Sequence, residues 1–244
     1  MTDPSSLRLD LATVWVLLRR ELTRFFRQRS RVFGALAQPL IFWLVLGSGL
    51  AGGRAFFYPG VIVMVVLFTS IFSTMSLIDD RHSGFLQAVL TAPGSRPALV
   101  LGKTLGGVAI ALAQALLFLA LAPLAGVSYA SVSWPAMAAV LLLLAIGLTA
   151  LGFAFAWWLD NTQGYHAVMM VLFMPAWVLS SALFPIQHAA PWMRKVMLAN
   201  PVTYGVDGVR RALEGTVAGL HLAVLGGFAL VAIALATLVC SRRR

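Results

Sequence analysis

The chain has 244 residues, 60% of them hydrophobic and only 11% charged, with a mean hydropathy of +0.90 and a formal net charge of +10. Globular proteins carry roughly a quarter of charged residues, so a soluble domain is excluded, and the bilayer is the solvent this chain is built for. Basic residues flanking apolar runs mark topology and contacts to anionic lipid, and no nucleic-acid partner is expected.

Residues 1–31 predict a cytoplasmic amphipathic helix rather than a crossing. Leu11, Val14, Trp15, Leu18, Leu22, Phe25 and Phe26 recur at helical spacing, while Arg20, Arg24, Arg27 and Arg31 fall on the opposite side. Such a helix is expected to lie in the headgroup plane with its arginines toward phosphates and water. Met1 to Leu7 is short and polar and lacks the h-region of a signal peptide, so the first crossing is expected to act as the insertion signal.

A helix needs about 20 apolar residues to cross a bilayer. Residues 32–244 supply six candidates: Val32 to Leu50, Phe57 to Ile78, Gly102 to Leu124, Pro135 to Leu159, Gly164 to Phe184 and Leu220 to Cys240. The expected fold is therefore an all-α membrane protein of six transmembrane helices preceded by an amphipathic interfacial helix. With both termini cytoplasmic, the inner segments collect seven arginines up to Arg31, then Arg81, Arg96, Lys103 and Arg242 to Arg244. The outer segments hold only Arg54, Arg194, Lys195, Arg210 and Arg211. This asymmetry obeys the positive-inside rule. Phe56, Phe57 and Tyr58 at one boundary and Trp157 and Trp158 at the other fit interfacial aromatic belts.

Two connections exceed a turn. The inner one, 79–101, joins the second and third crossings; the outer one, 185–219, contains two short apolar helices, Pro191 to Leu198 and Val202 to Leu213, with Asp207 expected to pair with Arg211 at i, i+4. Inside the crossings, Gln38 with Pro39, Gln114 and Pro175 interrupt apolar helices. A buried amide in lipid needs a partner, so Gln38 and Gln114 are expected at a helix interface or a pathway. Gly102 with Gly106 and Gly152 with Ala156 give small-xxx-small spacing for close helix approach.

Three chemistries are weighed on their residues. Gly102-Lys103-Thr104 copies the end of a phosphate-binding P-loop, but the first required glycine is Pro97 and no Gly-rich loop precedes it, so Lys103 is read as an anchor snorkelling at the inner face. Asp79, Asp80 and His82 suggest a membrane-embedded lipid or isoprenoid transferase, yet the second acidic cluster needed to hold its divalent ions is missing. Cys240 is the single cysteine, and His82, His166, His188 and His221 lack ligand spacing, so no metal or cofactor is expected in this chain. No acid, lysine or arginine sits at mid-membrane depth, where an ion-coupled transporter ordinarily carries one. The energy for any transport is expected from elsewhere.

Three segments together resemble the permease subunits of type-2 ATP-binding cassette exporters: Phe25-Phe26-Arg27-Gln28-Arg29-Ser30-Arg31 before the first crossing; Asp80-Arg81-His82-Ser83-Gly84-Phe85-Leu86, continuing through Pro93 to Gly102-Lys103; and Asn200-Pro201-Val202-Thr203-Tyr204 with Asp207 and Arg210. One departure is His82, where the family more often has an acid. The resemblance implies a permease without catalytic residues that exports an amphipathic substrate (drug, lipid or lipid-linked glycan) across a bacterial inner membrane. Two permease copies, a homodimer in the simplest case, would form the pathway, and a separate ATPase would supply ATP and Mg. It further implies that 79–101 is a coupling loop acting through Asp79, Asp80, Arg81, Gly84, Phe85 and Leu86, with Phe85 and Leu86 buried against the ATPase and Asp80 capping the loop helix. The N-terminal helix would be a connecting helix in the same contact.

Overall fold

In a computed structural model, residues 4–27, 29–49, 53–92, 94–216 and 219–242 are described, and they are all-helical, with no strand among them. Among the described residues, four helices are long and apolar enough to cross a membrane: α3 (Gly53–His82), α5 (Arg96–Leu119), α6 (Trp134–Leu159) and α11 (Gly219–Arg242). Helix α2 (Arg29–Gly49) lies beside α3 with a shorter apolar stretch, Leu36–Gly49. The amphipathic segment is helix α1 (Pro4–Arg27). Arg31 belongs to α2, and its side chain, like Pro93 in the inner loop, lies outside the described residues.

Helix α3 is the centre. Its residues from Phe57 to Ile71 are buried without interruption, as a helix apolar on every side must be when neighbours surround it. Helices α2, α5 and α6 pack around it, and α11 packs chiefly on α6 with most of its own surface outward. This placement corrects the aromatic-belt reading at three positions, Phe57, Tyr58 and Trp157: Phe57 and Tyr58 are fully buried, with the Tyr58 hydroxyl donating to the Phe118 carbonyl at 2.5 Å. Trp158 is exposed, but Trp157 is buried.

The fifth expected crossing is broken. It comprises α7 (Thr162–Val168), a π-helical turn at Met169–Phe173 and α8 (Met174–Val178), and it stops well short of Phe184. Pro175 explains the turn: it has no N–H to give to the preceding coil, and a π turn just before it absorbs the mismatch. Beyond α8 the chain folds inward, with Ser180, Ser181 and Ala182 buried and Trp177 Nε1 donating to the Gly60 carbonyl at 2.9 Å. The third crossing begins earlier than expected, at Arg96, because the Ser95 side chain caps α5 by accepting from the Ala98 N–H and Pro97 occupies the first turn.

Of the two short helices before α11, α9 (Pro191–Ala199) exposes Trp192 and Leu198, whereas α10 (Pro201–Leu213) is drawn into the bundle. Gly205 and Gly208 let its backbone approach α6, since a Cβ at Gly205 would lie 2.8 Å from Leu144 Cδ2 and one at Gly208 3.0 Å from Val140 Cγ2.

Candidate functional site

The charged residues at the C-terminal end of α3 converge on one network with α1 and α5. Arg20 donates to both oxygens of Asp80, at 2.7 and 2.6 Å, and Arg24 bridges Asp80 at 3.2 Å and Asp79 at 2.8 Å. From α5, Lys103 pairs with Asp80 and, at 2.5 Å, with Glu21 of α1; the other Glu21 oxygen accepts from Ser76 Oγ at 2.9 Å. Lys103, Glu21 and Asp80 are all nearly fully buried. Asp80 holds the Arg20 guanidinium above its ordinary pKa by accepting its hydrogen bonds, although burial works the other way.

Local sequence brings these groups together. Arg20 and Arg24 are one helical turn apart, and Glu21 lies on the flank between them. Helix α1 approaches α5 through Gly102 and Gly106: a Cβ there would lie 3.0 Å from Leu17 Cβ and 2.8 Å from Glu21 Cβ. Only glycine lets α1 come close enough for Glu21 to reach Lys103. A second tie holds the other end of α1, where Asp10 accepts from the Ser95 N–H at 2.7 Å and from its hydroxyl at 2.8 Å.

Several expectations change here. Arg20 and Arg24 turn inward to carboxylates rather than toward phosphates, because Asp79 and Asp80 offer charge-assisted, partly desolvated partners. Lys103 is not a snorkelling anchor but the cation at the centre of the network. Asp80 does not cap the loop helix α4 (Phe85–Thr91); Gly84 stands at that position with φ of 76°, a left-handed turn that suits glycine, and no side chain caps it. Leu86 is buried within the chain and the Phe85 ring lies beneath the Arg20 guanidinium, 3.7 Å from ring centre, so both face this chain's own core. The outward residues of α4 are Gln87, Ala88, Leu90 and Thr91. Asp80 is also saturated by three cations, which leaves it unsuited to a divalent ion, and no group of three or more metal-binding side chains occurs among the described residues.

Arg81 leaves the network for α6. It pairs with Asp160 at 2.7 Å, stacks 4.9 Å above Trp157 and donates to the Trp157 carbonyl, so it holds the open end of α6. Arg96 does the same for α11, donating to the Cys240 and Ser241 carbonyls at 3.0 and 2.9 Å. The C-terminal ends of α3, α6 and α11 and the N-terminal end of α5 are thereby tied at one level.

The expected outer residues form a separate cluster. Asn200 caps α10 by accepting from the Val202 N–H, and its amide donates to the Ala176 and Leu179 carbonyls at 2.5 and 3.1 Å, satisfying the end of α8; Pro201 fills the first helical position. Asp207 pairs with Arg210 at 2.7 Å and accepts from Ser181 Oγ at 2.6 Å. The expected pair with Arg211 does not form, since Arg211 points outward. Arg210 also stacks on Phe56 and donates to the Ser181 carbonyl, and its burial lowers its pKa from the ordinary arginine value. Tyr204 donates to the Leu198 carbonyl at 2.8 Å.

Gln114 sits at a helix interface, accepting from Thr69 Oγ1 of α3. Gln38 does not: within the chain it is exposed on α2, while neighbouring Pro39 is buried. The residues that sequence reasoning missed are Glu21 and Asp10. The one available signal was that both are acids on an otherwise arginine-rich helix.

The sequence model described as "ABC-2 type transporter" matches residues 12–213, from α1 through the end of α10. The chain belongs to the ABC-2 type transporter family. It is 27% identical over 219 residues to the transport permease ycf38 of Porphyra purpurea, covering 82% of this chain and 73% of that one. To the ycf38 permease of Cyanophora paradoxa it is 27% identical, with 81% and 72% covered. A third relative is the daunorubicin resistance ABC transporter permease protein DrrB1 of Streptomyces coeruleorubidus, 26% identical with 88% and 81% covered. An ABC-2 permease is a membrane component of a transporter and implies an ABC ATPase as its partner.

Proposed function

We propose that this ABC-2 permease is the pathway-forming subunit of an exporter for an amphipathic substrate, driven by a separate ATPase that binds ATP and Mg. The observation that carries the reading is the buried network through which Arg20, Glu21 and Arg24 of α1 grip Asp79, Asp80 and Lys103 at the inner ends of α3 and α5. It makes α1 and the α4 loop one rigid unit on the face where a cytosolic engine would push, so a displacement of α4 would be passed to the bundle. Residues 1–31 act as the connecting helix and 79–101 as the coupling loop, with Leu90 and its neighbours as the outward contact.

In this reading α2 and the α7 to α8 segment complete six passes, both termini are cytoplasmic, and the membrane is a bacterial inner membrane. A second copy pairs with the first to enclose the pathway, and exposed Gln38 faces that copy or the pathway. The relation to a drug-resistance permease supports an amphipathic cargo. The alternative of a transferase using Asp79, Asp80 and His82 loses support from the saturation of Asp80.

The test is ATP-driven transport in vesicles holding the permease and its ATPase. Arg20→Gln with Arg24→Gln should leave the complex assembled but lower substrate-stimulated hydrolysis and transport. Unchanged coupling in that variant would remove the basis for the reading.

A further inference from the structure

The network is neutral within itself, since Arg20, Arg24 and Lys103 oppose Glu21, Asp79 and Asp80. Arg19 and Arg27 are left over. No carboxylate lies within ion-pair distance of either among the described residues. With Trp15 and Thr23 they form one row of a groove on α1, and Arg20 and Arg24 form the adjacent row.

Three features define what would fill this groove. Its surplus is cationic, and guanidinium forks match phosphate oxygens. Trp15 lines the groove at one end and is 63% exposed, and Phe26, next to Arg27 in the chain, is 58% exposed. Large aromatic side chains flanking basic ones are suited to the headgroup level of a bilayer. Finally, the two arginines of the adjacent row differ in how firmly they are held. The Arg20 partner, Asp80, has a side chain only 2% exposed, whereas the Arg24 partner Asp79 is 46% exposed. An exposed ion pair contributes little and is readily exchanged.

We propose that this groove binds the phosphodiester of an anionic phospholipid through Arg19 and Arg27, and that the lipid competes with Asp79 for Arg24. Anionic lipid would then loosen α1 from the outer acid of the loop while the buried Arg20 to Asp80 contact keeps the helix in place. The inference stands on α1 itself and is measured on the permease without its ATPase, so it can fail independently of the transport reading.

The experiment is native mass spectrometry of the full chain released from detergent, titrated with phosphatidylglycerol, with phosphatidylcholine, and with phosphatidylglycerol in excess inorganic phosphate. Phosphatidylglycerol should be retained and phosphatidylcholine should not. Arg19→Gln with Arg27→Gln should cut retention at least about tenfold, from roughly fivefold per arginine near a charged headgroup, whereas Arg19→Lys with Arg27→Lys should keep most of it and confirm a folded chain. Asp79→Asn should raise retention by releasing the Arg24 Nη2 that Asp79 holds, while Nη1 stays on Asp80. Equal retention in the glutamine variant and the native chain would overturn the proposal, as would equal retention of phosphatidylcholine. Displacement by inorganic phosphate would mark a free-anion site instead. No change in Asp79→Asn would overturn the competition.

Discussion

Lys103 contributes to this protein through balance. It faces two buried carboxylates, Glu21 and Asp80, and removing it would leave them opposed with one cation fewer. Breaking a buried ion pair from one side costs about 3 to 5 kcal/mol, while removing both members can be nearly neutral. Lys103→Met should therefore lower unfolding stability in mixed micelles by that amount, and Glu21→Gln with Lys103→Met should recover most of it. A single variant as stable as the native chain would show that the pair is not desolvated. Asn200 offers a second residue-scale test, because its side chain serves one N–H and two carbonyls. Asn200→Ala should cost about 1 to 3 kcal/mol from a lost cap and orphaned acceptors, read by the same unfolding measurement; Asn200→Asp should keep the cap yet lose both donated bonds.

At the scale of elements, the packing of α1 on α5 depends on glycine at the contact. Gly106→Val places branched carbons where Glu21 already stands, 2.8 Å from the Cβ position. Overpacking of this kind costs about 1 to 3 kcal/mol, and here the α1 contact should yield first. Limited proteolysis should cut α1 in this variant while α3, α5 and α6 stay protected; an equally resistant α1 would mean that the contact can adjust. Helix α4 has two faces with opposite expectations. Leu86→Asp should destabilise the isolated permease, because Leu86 packs on its core. Leu90→Asp should leave the isolated chain unchanged and weaken ATPase co-purification, by more than about 1 kcal/mol if Leu90 is an interface anchor. The reverse outcome would turn the helix over.

For the whole molecule, the ties of Arg81 to α6 and Arg96 to α11 bring four helix ends to one level. Cysteines at Gln87 and at His188, both exposed, in a Cys240→Ser background should accept an impermeant thiol reagent from opposite sides of the membrane, with Gln87 cytoplasmic. Reaction of both from one side would require an even number of passes between them and would sink the six-pass reading. Cys240 itself is buried, so the native chain should label poorly in the folded state.

Hydropathy alone determined that this is a helical membrane protein, where the long helices lie, and that α1 is amphipathic, because solvent contrast acts on each segment independently of the others. The family likeness was legible for the same local reason: Asp80 to Leu86 and Asn200 to Arg210 are contiguous strings. What Lys103 does was not legible, since its partners Glu21 and Asp80 lie 82 and 23 residues away and only the docking of α1 on Gly102 and Gly106 brings them within reach. The inward turn of Phe85 and Leu86 was decided in the same way, by a neighbouring helix that supplies Arg20 as a lid. The break in the fifth crossing stood between the two cases: Pro175 announced an interruption, but the fold of Ser180 to Ala182 onto Gly60 depends on a glycine in α3 that admits the chain there. Periodicity reports which face is apolar; which neighbour covers it, and which charges are buried together as a result, is settled by tertiary packing.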